Sequence, residues 1–177
     1  MPLTKEIRDL RGVALGVRYD AGRERDLADN LVIATILCDK ASAALSDRHF
    51  VFLNQLTSPE MSVRQLAEAL GDDNEHVEVD LASVPVDVAR IVLVIYVNEG
   101  IARRRSLGQL RSCIVRVLQL RDNQELVRSE NLATGLTHES ALSLGELYRH
   151  GPDWKFKVLG ERYTGVAAIA ADFKVPM

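Results

Sequence analysis

The sequence predicts an all-β protein, a β-sandwich of two mostly antiparallel sheets with one or two short helices. Three observations favour this class. Several short segments alternate between apolar and polar residues, turn residues such as Asp20–Gly22 separate them, and Ile91–Val97 is apolar throughout. A strand that is apolar on both faces belongs in the middle of a layered core, and many short strands around it are typical of a sandwich.

Seven segments carry a strand pattern along the chain. They are Val13–Tyr19, Leu31–Leu37, His49–Leu53, Val77–Leu81, Ile91–Val97, Cys113–Leu118 and Trp154–Val158. Val77–Leu81 and Trp154–Val158 alternate with period two, which suits strands that have one solvated face. Trp154 and Phe156 share one face of the last strand, so we expect both side chains in the core.

Two further segments predict helices. Ser62–Leu70 offers a serine N-cap, strong helix formers and apolar residues on one face, and Gly71 acts as a stop signal. We therefore expect a short surface helix there. Val166–Ala171 predicts one or two helical turns near the C-terminus.

The bulk composition is that of an ordinary globular protein. The 177 residues are 47% hydrophobic and 27% charged, which predicts one domain over residues 1–177. The net charge of −3 and the 5% of aromatic residues give no reason to expect a nucleic acid partner. The N-terminus lacks the apolar region of a secretory signal, and the apolar run at Ile91–Val97 is too short to cross a bilayer. We therefore expect no membrane insertion.

The cysteine and histidine residues do not occur at the spacings of known catalytic, zinc-binding or redox motifs. Cys38 and Cys113 lie in apolar stretches without a Cys-x-x-Cys pair, which predicts buried, reduced thiols. The histidines at positions 49, 76, 138 and 150 have no partner at zinc-ligand spacing, and no nucleophile elbow or P-loop occurs. These observations predict a protein that is not an enzyme.

A basic run offers an alternative function. Arg103, Arg104 and Arg105 are the most concentrated positive charge on the chain, and arginine forks suit phosphate and carboxylate groups. Together with Glu99, which follows the most apolar segment, they predict a small-anion or nucleotide-binding receptor or enzyme. The same arginines also fit a solvated turn between two strands, and both interpretations stay open.

Several motifs occur in the order found in one known family. They are Gly16–Asp20, Phe50–Gln55, Val79–Leu81, Asn98–Glu99, Ser106–Gln109 and the block GELYRHGPDWKF at Gly145–Phe156. Together they resemble the TerD family of tellurium-resistance and stress proteins along almost the whole chain. The resemblance implies a single TerD-like β-sandwich domain in a cytoplasmic protein. Its relatives bind calcium through acidic loops at one end of the sandwich, and the family name implies no reaction.

The calcium ligands that this resemblance implies are incomplete here. Calcium takes about six to eight oxygen ligands. The family's opening Asp-Leu-Asp motif falls on Asn30–Val32, where valine replaces a carboxylate, and an alternative alignment on Asp26–Asp29 also loses one. The glycine-rich loop of calcium-binding relatives is replaced by the predicted helix from Ser62, whose interior carbonyls are already hydrogen-bonded.

The last acidic element of the family survives between Gly71 and the predicted strand at Val77–Leu81. One alignment selects residues 73–75, and another selects Asp72 and Asp73. The predicted ligands of a weakened or lost Ca²⁺ site, taken over both elements, are Asn30, Asp73, Asn74 and Glu75. The same acidic cluster also fits a solvated turn. The sequence thus predicts a non-enzymatic, cytoplasmic binding or interaction module whose partners are other stress or tellurite-resistance proteins.

Overall fold

The computed structural model describes residues 1–4, 7, 10–66, 73–98 and 105–176, and it confirms two antiparallel sheets packed as a sandwich. Within these residues the strands are β1 Gly12–Asp20, β2 Leu31–Cys38, β3 Phe50–Val51, β4 Val63–Gln65, β5 Glu75–Asp80, β6 Arg90–Val97, β7 Ser112–Gln119, β8 Glu125–Arg128, β9 Ala141–His150, β10 Asp153–Val158 and β11 Arg162–Tyr163, and the helices are α1 Arg25–Ala28 and α2 Val166–Asp172. The five-stranded sheet has the order β4-β5-β1-β7-β8. The six-stranded sheet has the order β10-β9-β6-β2-β3, with β11 paired to β9.

Strand β6 is apolar throughout because both of its faces are covered. Alternate residues of a strand point to opposite faces. Ile91, Leu93 and Ile95 lie in the core between the sheets. Val92 and Val94 lie on the other face, in a second apolar cluster that includes residues of α2. The helix predicted at Val166–Ala171 is therefore confirmed. It packs against the outer face of the six-stranded sheet.

The expected core residues are buried. Trp154 and Phe156 are 4% and 1% exposed and lie in the inter-sheet core. Cys38 and Cys113 are free and buried, as predicted. Burial raises the pKa of both thiols to about 12. Neither thiol is therefore nucleophilic near neutral pH, because the thiolate is the reactive form.

The predicted helix at Ser62–Leu70 is wrong for its first part. Val63–Gln65 form β4, which pairs with Val77–Val79 of β5 in antiparallel register. Val63 and Gln65 are buried, and Arg64 between them is exposed and forms an ion pair with Glu78. This alternation buries two of three residues against the sheet, so tertiary pairing overrides the local helix propensity. Residues 67–70 lie outside the described part of the chain.

Other differences concern short or irregular elements. Strand β3 covers only two residues of the predicted His49–Leu53 strand. Helix α1 and strands β4, β8, β9 and β11 were not predicted from alternation. Most of these elements are four residues or shorter, and whether the short strands form depends on pairing with residues far along the chain. No helix among the described residues is long and apolar enough to cross a membrane.

The GELYRHGPDWKF block holds the loop that leads into β6, the neighbour of β9 in the six-stranded sheet. The guanidinium of Arg149 lies 4.4 Å from the centre of the Trp154 ring. Its Nε donates a hydrogen bond to the carbonyl of Val88 (2.7 Å), and its Nη2 donates to the carbonyls of Val84 and Pro85 (both 3.0 Å). Burial lowers the pKa of Arg149. Through its hydrogen bonds the side chain fixes the loop before β6 against β9.

Candidate functional site

A buried carboxylate on the outer face of the five-stranded sheet is the centre of the candidate site. Gly16 of β1 lies between His76 of β5 and Arg116 of β7 in the strand register. The Asp73 side chain lies over this glycine and is fully buried, with 0% of its surface exposed. The missing side chain at Gly16 leaves the space into which the carboxylate fits.

Three described side chains, two of them arginines, bind the carboxylate of Asp73. Arg116 donates a bidentate pair, from Nε to Oδ1 (3.1 Å) and from Nη2 to Oδ2 (2.6 Å). His76 Nε2 donates to Oδ2 at 2.8 Å, and Arg18 Nε forms an ion pair with Oδ1 at 3.4 Å. A bidentate arginine pair is among the stronger hydrogen-bonding arrangements in proteins.

These contacts decide the ionisation of Asp73. Burial by itself would raise the pKa of the carboxyl, but the hydrogen bonds and charges of Arg116 and His76 outweigh it and lower the pKa below its ordinary value. Arg116 also donates from Nη1 to Glu125 Oε1 at 3.0 Å, and Arg128 binds the same oxygen at 2.9 Å. We name this network of Arg18, Asp73, His76, Arg116 and Glu125 the Asp73 cluster.

Gly16→Ala is expected to lower the free energy of unfolding by about 2 kcal/mol, because overpacking a well-packed site costs about 1–3 kcal/mol. A β-carbon at this position would overlap Asp73 Oδ2 and lie 3.2 Å from a ring carbon of His76. Urea unfolding at neutral pH measures the change. Gly151→Ala is a poor control because its φ is +61°. Ala14→Gly in the same strand is the better one, since it measures the glycine–alanine difference within β1 together with the loss of one buried methyl group. An unchanged stability for Gly16→Ala would contradict the close approach of Asp73.

The predicted calcium ligands do not meet at one point. Asp73 lies beside His76 on the outer face, whereas Glu75 has the strand parity of Val77, which faces the core. Glu75 is half-buried, and its burial raises the pKa of its carboxyl. Asn74 uses its side-chain oxygen to accept a hydrogen bond from the backbone of Tyr19 at 2.8 Å.

Asn30 lies in the turn between α1 and β2, immediately before the first residue of β2. Its side-chain amide donates to the carbonyl of Asp26 at 2.7 Å, and its backbone carbonyl accepts from Asn98 at 2.8 Å. Among the described residues, no hydrogen bond joins Asn30 to residues 73–75. Within the same residues, no three His, Cys, Asp or Glu side chains are placed to hold a metal ion.

The donor set around Asp73 does not fit a calcium ion. Calcium requires oxygen ligands, whereas the side chains that bind Asp73 in the described part of the chain are two guanidinium groups and an imidazole. A divalent cation at this carboxylate would have to displace Arg116 and would meet the charge of Arg18. Calcium binding elsewhere in the molecule stays a prediction.

The basic run predicted to contact anions is described only at its last residue. Arg105 forms a bidentate ion pair with Asp26, with distances of 2.9 Å and 3.2 Å, and also binds the carbonyl of Asn98. An anion at Arg105 would compete with that carboxylate. Glu99, Arg103 and Arg104 lie outside the described residues, so the anion-site hypothesis stays a prediction.

Sequence reasoning did not find the partners of Asp73. Arg116 had a local signal, since it is the single charge in the apolar strand Cys113–Leu118. Gly16 belongs to the Gly16–Asp20 motif of the family resemblance, which carries no signal of its contact with Asp73. The alignment of glycine, histidine and arginine across three strands is a matter of register between distant segments, which one sequence does not reveal.

Comparison with known proteins identifies the family. The TerD domain matches residues 1–173 of this chain. The chain therefore belongs to the TerD family. General stress protein 16U of Bacillus subtilis (strain 168) is 36% identical over 182 residues, which cover 97% of this chain and 91% of that protein. Tellurium resistance protein TerD of Serratia marcescens is 33% identical over 180 residues, covering 98% and 92%.

Solved structures agree with the TerD fold. A homologue of telluride resistance protein (TerD) from Streptomyces coelicolor A3(2) superposes with a TM-score of 0.66 at 13% identity, covering 92% of this chain and 95% of that one. A protein of unknown function superposes with a TM-score of 0.69 at 18% identity, covering 93% and 96%. At these identities the likeness concerns the sandwich fold alone.

Proposed function

We propose that this TerD-family protein is a non-enzymatic, cytoplasmic binding or interaction module of a stress or tellurite-resistance response, with a weakened or lost calcium site. The observation that carries the proposal is the Asp73 cluster. Two guanidinium groups surround one buried carboxylate, so the position has no excess of negative charge to attract a divalent ion.

The same geometry supports a role without catalysis. The carboxylate and the Arg116 guanidinium of the cluster are bound to each other, and the pKa of Asp73 is lowered rather than moved toward neutral pH. A general acid or base works best when its pKa lies near the operating pH, and Asp73 has the opposite property. The names of the relatives, which refer to stress and tellurium resistance, support partners from the same response.

Calcium up to about 1 mM is expected to leave the protein unchanged, whether the site is lost or is weakened beyond that range. Chelator-stripped protein should give no binding heat and no shift of the melting temperature when calcium is added to about 1 mM, the range of weak extracellular calcium modules. Isothermal titration and thermal unfolding measure these two quantities. Magnesium chloride at equal concentration is the control for ionic strength.

A micromolar binding heat would overturn the proposed loss of the site. The variant Asp73→Asn then locates the ion, because heat that disappears in this variant places calcium at the cluster and heat that persists places it elsewhere. The interaction role is tested separately by crosslinking in tellurite-stressed cells. Stress or tellurite-resistance proteins should be recovered equally with and without chelator, and their absence would contradict the proposed partners.

A further inference from the structure

The loop between β3 and β4 exposes large apolar side chains. Met61 is 71% exposed, Leu53 is 55% exposed and Leu56 is 43% exposed. Single exposed apolar residues are common on protein surfaces, but Leu56 and Met61 line the same surface cavity. Leu56 and Met61 therefore present neighbouring apolar side chains to solvent at this cavity.

Met61 has a backbone conformation that a glycine would adopt more easily. Its φ is +63°, and its N–H donates to the carbonyl of Ser58 at 2.9 Å, which closes a turn with Pro59 in second place. A positive φ after such a turn is usually supplied by glycine. The other described non-glycine residues with positive φ are the polar residues Ser42, Asn123 and Lys174. Met61 is thus a long apolar side chain at a position where its positive φ and its exposure to water are both unfavourable.

The loop is held in place by hydrogen bonds that do not involve its exposed apolar side chains. Ser58 binds Val63 twice, through its N–H (2.9 Å) and its Oγ (3.1 Å). Gln55 donates to the carbonyls of Asp47 and Phe50, at 3.1 Å and 2.8 Å. A surface that is already ordered loses little conformational entropy when a partner binds.

One unpaired positive charge lies at the cavity. The cavity has a volume of about 330 Å³, and its lining is partly apolar and partly polar: Leu56, Pro59, Met61, Arg48, Gln55, Thr57 and Ser58. Arg48 is exposed, and its guanidinium has no hydrogen bond or ion pair within the described parts of the chain. Glu60, the carboxylate of the loop, is already bound by Ser62 Oγ at 3.0 Å and His49 Nε2 at 3.2 Å. Charge complementarity at this cavity therefore favours a carboxylate from outside.

We propose that this cavity, the Met61 surface, docks a peptide segment of a partner protein in which an aliphatic side chain adjoins a carboxylate. The aliphatic group packs against Leu56 and Met61, and the carboxylate pairs with Arg48. The proposal rests on the interaction role proposed above and names the surface and the chemistry of the partner.

Two blocked peptides test the proposal against the full chain labelled with ¹⁵N. The acidic peptide has the sequence Gly-Leu-Glu-Leu-Gly, and its control has Gln in place of Glu. The acidic peptide should shift amide signals of Arg48 and residues 55–61 and bind at least about threefold more tightly than the control, as expected for one exposed ion pair. Equal binding of both peptides, or shifts confined to other regions, would overturn the proposal.

Two variants separate binding from folding. Arg48→Ala should bind the acidic peptide as weakly as the control peptide. Met61→Gly should bind at least about threefold more weakly while its melting temperature rises by about 2 °C, since glycine relieves the positive φ. Val86→Ser, at a residue that is 85% exposed in another loop, should leave binding unchanged. Unaltered binding by Met61→Gly would overturn the site.

A second copy of the chain is the competing occupant. Sedimentation velocity would reveal it as a concentration-dependent dimer that Met61→Gly abolishes, and this outcome would overturn the proposed peptide. Failure of the peptide titration removes the Met61 surface only. The calcium titration and the crosslinking experiment test the proposed function independently of this surface.

Discussion

Arg116→Met is expected to lower the free energy of unfolding by about 3 kcal/mol, because breaking a buried ion pair leaves an uncompensated charge. The Asp73 side chain is 0% exposed and that of Arg116 is 14% exposed, so water cannot replace the lost guanidinium without reorganisation. Arg18 and His76 remain in contact with the carboxylate, which places the expected loss at the lower end of the range for such pairs. Urea unfolding at pH 7 measures it.

A double-mutant cycle distinguishes this pairing from general packing. Asp73→Asn removes the charge that Arg116 neutralises, so the double variant Asp73→Asn with Arg116→Met should be more stable than Arg116→Met alone. Strictly additive effects of the two substitutions would contradict a direct interaction. Arg128→Met, on the exposed side of Glu125, should cost less than about 1 kcal/mol because its side chain is 49% exposed.

The same pair predicts a pH dependence with a definite sign. The pKa of Asp73 is lowered in the folded protein, so the ionised form is favoured by folding. The resulting stability is present above the ordinary carboxyl pKa of about 4 and is lost as the pH falls through the folded-state pKa. The stability difference between the natural protein and Asp73→Asn should therefore shrink below about pH 4. A difference that grows on acidification would contradict the assignment.

Arg149→Ala is the second large effect, with an expected loss of about 3 kcal/mol. Three hydrogen bonds to the carbonyls of Val84, Pro85 and Val88 are lost, together with the contact to the Trp154 ring. Each net hydrogen bond contributes about 1 kcal/mol and a cation–π contact about 0.5–1 kcal/mol, with partial compensation by water since Arg149 is not fully buried. Chemical denaturation monitored by Trp154 fluorescence measures the change.

Arg149→Lys tests whether geometry or charge matters. Lysine keeps the charge but has no planar fork to reach three carbonyls, so it should recover only about a third of the loss. Arg162→Ala is the matched control. Arg162 donates to the carbonyl of Gly135 at 3.0 Å, but its side chain is 47% exposed, so its loss should cost less than about 1 kcal/mol. If lysine restored full stability at position 149, the positive charge alone, and not the hydrogen-bond geometry of arginine, would hold the loop.

Local periodicity predicted the elements that depend on neighbours in sequence. Ile91–Val97 and Val166–Ala171 were identified because burial on both faces and helix formers leave a signal within a few residues. Val63–Gln65 was assigned to a helix because its flanking residues favour one, yet pairing with β5 decides the conformation. The Met61 surface left no periodic signal, since an exposed loop obeys neither a strand nor a helix period.

The sequence by itself determined the sandwich, the central apolar strands, the buried thiols and the family. The tertiary structure decided what surrounds Asp73. Arg116 lies 43 positions away along the chain, and only the register of β1 with β5 and β7 places Gly16, His76 and Arg116 side by side. Hydrophobic patterning is local, so it can be read from a single sequence. The neutralisation of a buried charge depends instead on which distant strands become neighbours.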